Sequence, residues 1–146
     1  MARSPARPLC VVRGLLLSSL LLSPITAQAA AESVQIELNK LEPNDNACRA
    51  YLVLENGTSS AFEALKLDLV MFDSDGIVAR RLAVETAPLP AGKTSLKVFD
   101  MKGLACEQVS RLLLNTVMAC ADASGARENC LSLISTSARA KVPFIK

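Results

Sequence analysis

Cysteine usage constrains this chain most, and how its five cysteines count depends on what the first thirty residues are. Cys10 sits among Arg3, Arg7 and Arg13, in a basic stretch with no acidic residue. Gly14 to Leu22 then reads Gly-Leu-Leu-Leu-Ser-Ser-Leu-Leu-Leu. Pro24 breaks any helix, and Ala27 and Ala29 put small residues at the two positions a signal peptidase reads. These are the parts of a cleavable export signal over residues 1–29, with cleavage expected between Ala29 and Ala30. A bilayer span takes roughly 18 apolar residues or more, and Ser, Pro, Thr and Gln intrude before that, so no membrane span is expected after cleavage. Cys10 precedes the apolar run, whereas a lipid-bearing cysteine follows it. Adjacent arginines are also missing there, which favours the general secretory route. The expected location is the periplasm, or the medium beyond it.

Loss of Cys10 leaves Cys48, Cys106, Cys120 and Cys130. Four cysteines in an oxidising compartment read as two disulfides, with three connectivities open. The polar, turn-like stretch between Cys120 and Cys130 favours joining those two, which leaves Cys48 for Cys106. No C-x-x-C pair occurs, and a zinc ribbon needs such pairs. No metal or cofactor is expected.

Composition narrows the chemistry further. The chain has no His, which removes every Ser-His, Cys-His or His-zinc mechanism. With 51% apolar and 21% charged residues it is globular in character. Residues 30–146 are enough for one domain. The leader takes three of the sixteen basic residues and none of the fourteen acidic ones, so the remainder is nearly neutral. A nucleic-acid partner would want a basic stripe, and none is expected.

Along the mature chain the dominant period is two. Val34, Ile36 and Leu38 alternate with polar residues, and Glu42 to Asn46 reads as a loop. Cys48 to Leu54 is apolar on both parities, as in an inner strand, and Asn56-Gly57 turns the chain. Leu65, Leu67, Leu69 and Met71 alternate again, followed by a turn over Asp73 to Gly76 and a return strand from Ile77 to Thr86. The pair Arg80-Arg81 disturbs that strand and suggests a bulge. Pro88 to Gly92 is the next turn, and Lys93 to Asp100 is a strand with Leu96 and Val98 expected inward. Val109, Leu112, Leu113 and Val117 also fit helical spacing, so a helix within 103–117 stays open beside the favoured turn and strand from about Leu112 to Cys120. Leu131 to Ala138 is the last strand, and Lys141 to Lys146 is expected to fray.

Seven short strands separated by turns predict an all-β, immunoglobulin-like antiparallel sandwich. In that order the second and fifth strands are antiparallel neighbours, which brings Cys48 near Cys106. The sixth and seventh form a hairpin, which brings Cys120 near Cys130.

Leu69-Val-Met-Phe-Asp73, then Ser-Asp-Gly76 and Leu89-Pro-Ala-Gly-Lys93, resemble the FxLYD-type exported immunoglobulin-like domains. Leu69 stands where that motif has Phe, Met71 where it has Leu, and Phe72 where it has Tyr. Leu41-Glu-Pro through Cys48-Arg49, Glu55-Asn56-Gly57, Phe99-Asp100 and Gly103-Leu-Ala-Cys106 resemble small alphaproteobacterial exported proteins labelled "Tat pathway signal sequence domain". That label describes export, and this chain lacks the twin arginines. The resemblance implies fold and compartment and no catalytic residue.

Other motifs are weaker. Asp73, Asp75 and Gly76 open like a calcium loop, but position twelve is Val84 where a Glu must close it. Asn56-Gly57-Thr58 matches a glycosylation acceptor and reads as a turn. Arg80-Arg81 would suit an anion or an acidic partner, but a solvated strand face is the simpler and favoured reading. No S-x-x-K motif occurs, and no catalytic residue is nominated. The expected function is a non-enzymatic interaction module of the envelope that binds a protein partner. The alternatives are a chaperone-like or structural subunit acting by strand addition, and a hydrolase using carboxylates or Ser/Lys.

Overall fold

A computed structural model of the protein describes residues 32–146. The expected leader, with Cys10 and the cleavage point at Ala29 and Ala30, lies outside the described residues. The described residues form nine strands: β1 (Val34–Asn44), β2 (Ala47–Asn56), β3 (Ala64–Phe72), β4 (Val78–Glu85), β5 (Thr94–Lys102), β6 (Arg111–Asp122), β7 (Gly125–Ala126), β8 (Ile134–Ala138) and β9 (Phe144–Ile145). One helical turn, α1 (Cys130–Leu133), precedes β8.

The strands make two sheets of mixed topology. The first runs β5-β2-β1-β8, with β8 parallel to β1. The second runs β4-β3-β6-β7, with β9 parallel to β6. Alternation dictates what lies between them. Ile36 and Leu38, Cys48, Ala50, Leu52 and Leu54 enter from the first sheet, and Leu65, Leu67, Leu69, Met71 and Leu114 from the second. Side chains of this kind contribute roughly 1.5–3 kcal/mol each when fully buried.

Cys48 on β2 is bonded to Cys106, in a short 3-10 turn after β5, and Cys120 on β6 is bonded to Cys130 at the start of α1. The open question at 103–117 resolves as that 3-10 turn over Cys106–Gln108, followed by β6.

Several expectations change. The loop expected from Glu42 is still strand as far as Asn44, with Pro43 opposite Cys48. β8 reaches only Leu38, so that part of β1 is an edge, where Pro is tolerated. The last long strand does not form a hairpin with β6. α1 redirects the chain after Cys130, and β8 joins the first sheet beside β1. The tail is not frayed, since Phe144 is buried and β9 pairs with Leu112 and Leu113. Finally, Leu96 and Val98 point outward. Cys48, Ala50, Leu52 and Leu54 lie opposite Met101, Phe99, Lys97 and Ser95, so the odd residues of β5 face the core.

Candidate functional site

Strand edges are the places where this fold leaves backbone hydrogen-bonding groups unused. On β4, Ala79 is an extra residue, because Met71 pairs with Arg80 and Phe72 with Val78. The bulge therefore falls one residue before the arginine pair. Arg81 holds the carboxylate of Asp68 on β3 with Nε at 2.7 Å and Nη2 at 2.8 Å. Arg80 reaches the other sheet, donating from Nη2 to the Lys102 carbonyl at 2.7 Å. The two arginines thus have separate roles, one within the second sheet and one tying the two sheet edges together.

Among the described residues the outer edge of β6 is covered only at its ends, by β9 at Leu112–Leu113 and by β7 at Ala121–Asp122. A cleft of about 410 Å³ lies between Thr116–Cys120 and Arg127–Leu131. This stretch carries two bulges: Asn115 and Met118 are each skipped in the register with β3. The first aims the Asn115 amide at Asp68, 2.6 Å away. Bulges bend a strand and spoil its edge as a template. β8 is five residues long, and Lys146 Nζ donates to the Ile134 carbonyl at its start.

β5 is different. Thr94 to Lys102 pairs with β2 in one unbroken register. Asn56 N–H donates to Lys93 O and Gly103 N–H to Asn46 O, at the two ends of the same ladder. In an antiparallel ladder hydrogen-bonded pairs alternate with non-bonded ones, so Ser95, Lys97, Phe99 and Met101 bond to β2. The N–H and C=O groups of Thr94, Leu96, Val98 and Asp100 point away from it. Leu96 and Val98 are 61% and 41% exposed. On the same outer face Arg49 opposes Asp100, with Nε 2.7 Å from Oδ1 and Nη2 3.0 Å from Oδ2. This pairing holds the Asp100 carboxyl below the usual carboxylate value.

The motifs singled out from sequence are turns. The Asp73 carboxylate accepts the N–H groups of Asp75 and Ile77, and Gly76 has φ +77°, so the calcium-like start is a hairpin turn. Asn56 is fully buried and donates its amide to the carbonyls of Ser60, Leu89 and Pro90, so it is no sugar acceptor in the folded chain. No group of three metal-ligating side chains occurs among the described residues. None of their helices is long and apolar enough to cross a membrane. The β5 edge was missed in the sequence because Leu96 and Val98 satisfy an inward reading. The competing signal was Phe99 and Met101, at the opposite parity.

The described residues define an all-β protein of two packed sheets whose longest regular unpaired edge is β5. The chain is similar in fold to the solved structure of IrmA from Escherichia coli, with TM-score 0.52 and 17% identity over 72% of this chain and 91% of that one. No family model and no curated protein matches the chain.

Proposed function

We propose that this protein is an exported, non-enzymatic interaction module of the bacterial envelope, an immunoglobulin-like sandwich akin to the exported proteins its sequence resembles. It binds a protein partner by receiving an extended segment alongside β5. The observation that carries the reading is the run of unused backbone groups at Thr94, Leu96, Val98 and Asp100, flanked by two exposed apolar side chains. Main-chain bonds to such an edge supply affinity, and alternate side chains supply specificity. The two disulfides suit an oxidising compartment.

Proline tests the edge cleanly. The Val98 N–H makes no bond to β2, so Val98→Pro leaves the native ladder intact while blocking an added strand. Mature protein immobilised in envelope extract should retain a partner that the Val98→Pro protein, with an unchanged melting curve, does not. Equal capture by both proteins would contradict strand addition at β5. Mass spectrometry of the envelope fraction should find the chain beginning near Ala30. A stable cytoplasmic form retaining Met1 would contradict export.

A further inference from the structure

We infer that the segment received by β5 alternates apolar and acidic residues, its acidic side chains lying on the Lys97 side. The inference rests on strand addition at this edge and adds the partner's chemistry. The two faces of β5 differ. On the outer face Leu96 and Val98 stand exposed beside Val53 and Tyr51 of β2. An added strand continues the pleat, so every second side chain falls against that apolar pair. The intervening side chains fall beside Ser95 and Lys97, on the side where the edges of the two sheets approach each other.

That seam is basic. Lys97 lies opposite the fully buried Leu52, so its stem leaves β5 on the core side at the open margin. Arg80 enters the seam from β4 at its Lys102 end, its pairing with core residue Met71 putting it on the inward face. Among the described residues neither Lys97 nor Arg80 has a carboxylate partner, and the same holds for Lys93 just before the strand. Opposite charges across a strand pair stabilise it and like charges oppose it.

Lys97 also disfavours a second copy as the occupant. Antiparallel self-pairing that uses all four free residues sets Leu96 against Val98, Thr94 against Asp100, and Lys97 against Lys97. An inward-pointing charge on an edge strand is a known guard against such pairing. It rejects a like edge and accepts an acidic one.

The test uses fluorescent nine-residue peptides, one alternating Val with Glu and one alternating Val with Lys, titrated into mature protein at low salt. The Val-Glu peptide should bind on the order of tenfold tighter, the scale of one or two cross-strand charge pairs. Its advantage should shrink as salt screens the charges. Lys97→Glu should reverse the order of the two peptides, and Val98→Pro should abolish binding of both. Equal binding of the two peptides, or an order unchanged by Lys97→Glu, would overturn the charge selection. Strand addition would stand in that case if Val98→Pro still removed binding. Binding of neither peptide, or binding untouched by Val98→Pro, would overturn both.

Discussion

Asp68 is 2% exposed on the outward face of β3, a face where carboxylates ordinarily stay in water. Arg81 from β4 and Asn115 from the β6 bulge cover it with three hydrogen bonds. The guanidinium first, then the amide, hold its carboxyl below the usual carboxylate value. The unfolded chain therefore takes up this proton at higher pH than the folded one. The resulting stability is present in full above about pH 4 and is lost as pH falls further. Asp68→Ala should cost about 1–3 kcal/mol near neutral pH, the range for hydrogen bonds to a charged group. Denaturant melts at a series of pH values should show that difference closing in acid; a constant difference down to about pH 2 would contradict the assignment. Two residues of β5 test its parity in the same way. Leu96→Thr should change stability by less than about 0.5 kcal/mol, as an exposed site does. Met101→Ala should cost about 2–5 kcal/mol, since Met101 is buried in the core. Sequence alternation allowed either parity, because Leu96 and Val98 compete with Phe99 and Met101. The β2–β5 register decides between them by setting Phe99 and Met101 opposite buried Ala50 and Cys48, and it is legible only once β2 and β5 are known neighbours.

Among the elements, the β5 ladder predicts opposite fates for proline at adjacent positions. Lys97 donates its N–H to β2, so Lys97→Pro breaks a ladder bond and should cost about 1–3 kcal/mol, whereas Val98→Pro removes no native bond. Thermal melts separate the two. The disulfides predict a second ordering. Cys48–Cys106 spans 58 residues and Cys120–Cys130 spans 10. Chain entropy then makes the longer loop worth more by about 1.5 kcal/mol. A Cys48→Ala/Cys106→Ala protein should accordingly melt at lower denaturant than a Cys120→Ala/Cys130→Ala protein, and the reverse order would point to native contacts rather than loop closure. Strands with clean alternation, such as β1 and β3, were readable from sequence. For β6 the sequence favours a strand from about Leu112 to Cys120, but Val109, Leu112, Leu113 and Val117 also fit helical spacing, which leaves the choice open. The start of β8 was not readable, since Cys130–Leu133 is apolar enough for a strand yet forms one helical turn beside the Cys120 bridge.

At the scale of the whole molecule, two sheets enclose one core; one disulfide ties β2 to the turn after its neighbour β5, and the other ties β6 to α1. Which sheet the last long strand joins was hidden, because its buried residue Ile134 packs in the same core from either side. Its crossing to β1 leaves β6 covered only at its ends, and bulges blunt that gap. β5 remains the longest regular edge. The candidate site was invisible in sequence because it consists of backbone groups without partners, and only the pairing scheme exposes them. Residue-resolved amide hydrogen exchange, with and without the Val-Glu peptide, reads those groups directly. The amides of Thr94, Leu96, Val98 and Asp100 should exchange fast in the free protein while those of Ser95, Lys97, Phe99 and Met101 are protected, and the peptide should slow the first set selectively. New protection confined to Thr116 through Ala119 on β6, or none anywhere, would contradict strand addition at β5.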